Sequence, residues 1–183
     1  MRELALNILD IAENSLSAGA TLIEIAVTAD FAADRMRIAI RDNGKGMSAE
    51  MLARVTDPFT TTRTTRKVGM GLPLFKYSAE SAGGSFHIES EEGKGTYVWA
   101  EYCISHVDRM PLGDFGGVIL QLITQNPSVD FSVFAANGER GGALDTRDVR
   151  DILGDIPFNT PEVRSFLKEY IKENLTDIFG GRL

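Results

Sequence analysis

Apolar residues along 4–17 fall at Leu4, Ile8, Ile11, Ala12 and Leu16, the spacing of one helical face. The other stripe carries Glu3, Asn7, Asp10, Asn14 and Ser17 at steps of four and three, so Asp10 and Asn14 stand one turn apart on the same side. Gly19 predicts the end of this helix. The period then changes to two. Ile23, Ile25 and Val27 alternate with Glu24 and Thr28, and Met36, Ile38 and Ile40 with Arg35, Arg37 and Arg41, which predicts neighbouring strands joined across residues 29–34. After Asp42-Asn43-Gly44-Lys45-Gly46-Met47, Ser48 is suited to cap a short helix. Residues 60–67, TTTRTTRK, have no apolar period and predict a mobile polar lid. Gly69-Met70-Gly71-Leu72 opens a second helix that runs to about Ala82 and stops at Gly83-Gly84. Phe86 and Ile88 alternate with His87 and Glu89. After the Gly93-Lys94-Gly95 turn, Val98, Ala100 and Tyr102 alternate with Tyr97, Trp99 and Glu101.

Pro111, Gly113, Gly116 and Gly117 punctuate the chain beyond Cys103, so the expected division is a module of residues 1–103 and a small α/β appendage of residues 104–183. The appendage is predicted to hold a helix around 118–124, a strand at 131–136, a turn at Asn137-Gly138, a strand near Ala143 and Leu144, and a helix at 146–153. A final helix, with Thr160 as its cap and Pro161 first, runs to Phe179 before Gly180.

Composition narrows the classes. The 183 residues are 43% hydrophobic and 25% charged, enough for one filled core. A net charge of −7 argues against non-specific binding to nucleic acid or an anionic membrane, and no run approaches the ~18 apolar residues of a spanning helix. Cys103 has no cysteine partner in the chain, and His87 and His106 make no zinc constellation, so a reducing, cytoplasmic location is expected.

Four segments carry candidate chemistry in order: an acid and an amide on one helical face, a strand running into Asp-Asn-Gly-Lys-Gly, a threonine-rich cationic stretch, and a glycine-rich helix start. Each alone reads as a solvated face or a turn; their order and spacing make a nucleotide site. Residues 10–21, DIAENSLSAGAT, resemble the N-box helix of the GHKL superfamily, which includes DNA gyrase, Hsp90, histidine kinases and mismatch-repair ATPases; ENSLSAGAT is closest to the mismatch-repair form. Residues 57–76 and 83–102 are similar to the ATP-binding domain of histidine kinases. The resemblance implies the Bergerat fold, an α/β sandwich with a mixed, largely antiparallel sheet and helices on one face.

Beside that resemblance, each residue has a physical role to fill. Asp42, at a strand end, is suited to accept the exocyclic amine of adenine, where guanine presents a carbonyl oxygen. Gly44 and Gly46 permit close backbone approach, with Met47 following them in the same loop. Asn14 offers a neutral amide oxygen to Mg²⁺, which takes most of its other ligands from water and phosphates. Asp10 occupies the position at which the mismatch-repair and gyrase group holds a glutamate acting as general base, so it is the catalytic candidate, with a side chain one methylene shorter. Gly69, Gly71 and Leu72 place helix-start amides toward phosphates. Arg63, Arg66 and Lys67 supply local positive charge, with no acid from Phe59 to Ser78, and Phe59 anchors the lid's start. Thr96 resembles the superfamily threonine near adenine.

The cofactors expected are therefore ATP and Mg²⁺. Nine residues precede Asp10, too few for a phosphoacceptor hairpin, and neither histidine fits that role. The expected activity is a kinase-like module that transfers the γ-phosphoryl group of ATP to a separate regulatory or substrate protein in trans, on serine, threonine or histidine. The alternative is an ATP-gated interaction switch with slow hydrolysis and no kinase activity. A DNA-repair clamp is disfavoured by net acidity and chain length; the final helix is expected to pack in the core, with a dimer contact or partner binding as alternatives.

Overall fold

A computed structural model describes residues 3–56 and 70–183. Its elements in chain order are α1 (Leu4–Ser17), β1 (Leu22–Asp30), β2 (Arg35–Asp42), α2 (Ala49–Arg54), α3 (Gly71–Ser81), β3 (Ser85–Glu91), β4 (Gly95–Cys103), α4 (Phe115–Gln125), β5 (Asp130–Ala136), β6 (Gly141–Asp145), α5 (Thr146–Leu153) and α6 (Pro161–Ile171). The strands form one mixed sheet in the order β3-β4-β2-β1-β5-β6. Every pair is antiparallel except β1 with β5.

Register aligns the inward residues of all six strands. Ile88, Val98, Ile40, Ile25, Val133 and Leu144 make one continuous row, and Phe86, Ala100, Ile38, Val27 and Ala135 the next. A one-residue slip would turn these rows to solvent, so the alternating pattern specifies the pairing. Helices α1, α3 and α4 cover this face with Leu4, Ile8, Phe75, Ile119 and Ile123, all buried. The opposite face of β2 and β4 carries charge over aromatic rings: the guanidinium of Arg37 lies 4.4 Å from the Trp99 ring centre and that of Arg41 4.7 Å from Tyr97.

Residues 104–183 add β5 and β6 directly to this sheet, β5 lying beside β1, and α4 packs on α1. The backbone amides of Leu4 and Ala5 donate to the carbonyls of Pro111 and Leu112, which satisfies two free donors at the start of α1. The expected final helix departs from its prediction. It is α-helical only to Ile171, widens into a π turn over Lys172–Thr176, and tightens to 3₁₀ over Asp177–Phe179. The wide turn lies where the Asn174 carbonyl abuts Gly142 of β6, a contact so close that a Cβ there would collide. Thr160 stands at the cap position, but its hydroxyl donates to the Pro157 carbonyl at 3.1 Å and leaves the helix amides alone.

Candidate functional site

Asp42 closes β2, with Thr96 of β4 opposite on one side and Ile23 of β1 on the other. The carboxylate is held at both oxygens: Oδ2 accepts the Ser15 hydroxyl at 2.7 Å, and Oδ1 accepts the Gly44 amide at 2.9 Å. A carboxylate has about four acceptor positions, so these two bonds orient it and leave capacity for an amine donor from a ligand. Asp42 is 9% exposed, enough to present an edge of that carboxylate.

The loop after Asp42 is shaped by close approaches. Asn43 Oδ1 accepts the amides of Thr21 and Leu22, at 2.9 and 3.0 Å, pinning the loop to the end of α1's connection. At Gly46, φ is +64° and a Cβ would collide with the Glu91 carbonyl. Met47 is half-buried, and its amide donates to Ser90 Oγ at 2.9 Å. Ser90 in turn donates to the Gly95 carbonyl and lies 2.9 Å from Thr96 Oγ1. One serine therefore ties the glycine loop to the start of β4, beside Asp42.

The second half of the site lies where α3 begins. A Cβ built on Gly71 would stand 3.2 Å from the Asp10 Cβ and 3.5 Å from Asn14 Nδ2, so the start of α3 rests on the acid and amide of α1. Leu74 donates its amide to Met70, and Pro73 has none. Among the described residues that leaves the Gly71 and Leu72 amides as the outward donors of the first turn, where the helix dipole is positive. Asp10 is half-buried, and desolvation raises its carboxyl pKa above the ordinary range, with the charge of Glu13 pushing the same way. Its carboxylate is thus a stronger base than an exposed aspartate.

Asp10, Asn14, Gly71 and Leu72 are thus brought together at one end, and Asp42, Gly44 and Thr96 at the other. Ser15, the residue after Asn14, links the two. Phe59, Arg63, Arg66, Lys67 and Gly69, and with them the expected lid, lie outside the described residues. Two residues were missed by motif reasoning, Ser15 and Ser90. Each had a signal, because each is polar at an inward position: Ser15 continues the Ile8-Ile11-Ala12 stripe, and Ser90 shares the parity of Phe86 and Ile88.

The donor set suits Mg²⁺ better than a protein-caged metal. Among the described residues no three His, Cys, Asp or Glu side chains group as a metal site, whereas Asn14 offers one neutral oxygen beside the helix start.

The family model described as histidine kinase-, DNA gyrase B-, and HSP90-like ATPase matches residues 1–105 of the 183. The chain belongs to this GHKL family. It carries a GHKL ATP-binding domain similar to those of histidine kinases. It is 33% identical over 86 residues to the sensor histidine kinase ZraS of Escherichia coli K12, covering 46% of this chain and 18% of ZraS. It is also 35% identical over 91 residues to sporulation kinase D of Bacillus subtilis, covering 50% of this chain and 18% of that kinase. The aligned segments thus span less than a fifth of either relative's length. Among solved structures, the N-terminal domain of a DNA repair protein matches with TM-score 0.58 at 15% identity, over 98% of this chain and 59% of that one. The likeness of fold to that structure includes residues 104–183, beyond the segment that the family model matches. Among the described residues, no helix is long and apolar enough to cross a membrane.

Proposed function

We propose that this GHKL protein binds ATP with Mg²⁺ and transfers the γ-phosphoryl group to a serine, threonine or histidine of a separate protein. The observation that carries the reading is the seating of Gly71, at the start of α3, on Asp10 and Asn14. Asp42 accepts the adenine amine, with Ser15 and Gly44 holding its carboxylate in place. The Gly71 and Leu72 amides receive phosphate oxygens, and Asn14 holds the metal. Bound Mg²⁺ supplies neutralisation of phosphate charge. In the transfer, the acceptor oxygen or nitrogen bonds to the γ-phosphorus as the bond to the bridging β–γ oxygen breaks. ADP leaves with that oxygen, and Asp10 takes the acceptor's proton. The protein would act in the cytoplasm, without nucleic acid or membrane as partner.

A second reading is an ATP-gated interaction switch with slow hydrolysis, in which Asp10 acts on water. The raised pKa of Asp10 suits a base acting on water as well as on a protein hydroxyl. Incubation with Mg²⁺ and γ-labelled ATP, with and without lysate of the source cells, separates the two. A labelled lysate protein that disappears with Asn14→Ala is expected for the kinase. Phosphate release with no labelled protein would replace that reading with the switch.

A further inference from the structure

Below the phosphate end of the site, α1 and α3 meet a second time. Asn7 is seven residues before Asn14, and Ser78 is seven after Gly71, so on each helix this contact lies about 10 Å from the first. There Asn7 Nδ2 donates to Ser78 Oγ at 3.3 Å, and Tyr102 Oη of β4 lies 3.1 Å from the same oxygen. Asn7 is 1% exposed and Tyr102 fully buried.

Proton counting makes this group unusual. Ser78 has one hydroxyl proton, given to the Phe75 carbonyl at 2.8 Å, so toward Asn7 and Tyr102 it can only accept. Among the described residues Asn7 Oδ1 then has no hydrogen-bond partner. A merely structural contact in an apolar core is better served by leucine, since an orphaned buried acceptor costs stability that a hydrocarbon does not.

We infer that Asn7 is a positioning residue, whose amide, through Ser78, sets the register of α3 on α1 and so places the Gly71 and Leu72 amides for the terminal phosphate. Because the orphaned Oδ1 makes that register costly, α3 is held in place without being locked, and phosphate at its N-terminus completes the seating. The inference rests on the nucleotide reading proposed above.

The test uses the full chain and compares its affinity for Mg²⁺–ATP with that for Mg²⁺–ADP, alongside urea unfolding. Asn7→Leu is expected to unfold at the same or higher urea concentration, because it removes the orphan. It should also lower the preference for ATP over ADP about tenfold, with ADP affinity nearly unchanged. Ser78→Ala and Tyr102→Phe, which alter the same contact with little change of volume, should move the ratio the same way. They keep the test open if Asn7→Leu does not fold. An unchanged ratio in the folded variants, with wild-type protein binding both nucleotides, overturns the positioning role alone. A wild-type protein that binds neither nucleotide overturns the ATP reading, and this inference with it.

Discussion

Two hydrogen bonds fix both oxygens of Asp42 before any ligand arrives. Asp42→Asn turns an acceptor into a donor at one oxygen and confronts Ser15, Gly44 or, in the proposed reading, the adenine amine. The expected outcome is a ten- to hundredfold loss of ATP affinity by calorimetry, equivalent to about 1–3 kcal/mol, in a protein that stays folded. Asp10 behaves oppositely. Burial raises its pKa, so the folded chain holds that proton to higher pH than the unfolded chain, whose carboxyl titrates near 3.8. Its ionisation therefore lowers stability as pH rises from about that value through the folded pKa, and the loss is complete above it. Asp10→Asn should unfold at an equal or higher urea concentration than wild type at pH 7, and the difference should vanish near pH 3. The same substitution should reduce ATP turnover and leave nucleotide affinity nearly intact. Motif order singles out these two residues as candidates. The bonds that hold Asp42 were not legible, because Ser15 lies 27 positions away and only the packing of α1 on β2 brings them together.

At the scale of elements, local signals did most of the work. The helix of residues 4–17 is bounded as its periodicity implies, and Ser48 caps α2 through the Met51 amide at 3.3 Å. The final helix broke the pattern, because an apolar stripe specifies which side is buried but not how tightly the backbone must wind around a neighbour such as Gly142. Glycines divide similarly. Gly95 has φ +101°, and a Cβ there would collide with the Asp42 carbonyl. Gly95→Ala should therefore cost about 3 kcal/mol or more by urea unfolding, and should weaken ATP binding by displacing the end of β2. Gly71 is less strained, its Cβ position being tight but open.

For the molecule as a whole, the boundary of the motifs is not the boundary of the sheet. All the site residues precede residue 104, yet β5 pairs with β1 along its length and Phe131, Val133 and Ala135 complete the inward face. A chain ending at residue 103 would expose the β1 edge and remove the carbonyl partners of Leu4 and Ala5, at the start of the helix that bears Asp10 and Asn14. That fragment is expected to lose cooperative urea unfolding and ATP binding together; retention of both would show that residues 104–183 are dispensable for the site.

By itself the sequence determined the kind of most described elements, the face each buries, and the residue types available for chemistry, since these follow from periods of two and 3.6 and from local turn and cap preferences. Tertiary structure alone decided that β5 joins β1, that Ser15 orients Asp42, that Gly71 rests on Asp10 and Asn14, and that Asn7 meets Ser78. Those are contacts between distant segments, set by sheet register and by how two helices cross the same face, and no local pattern encodes them.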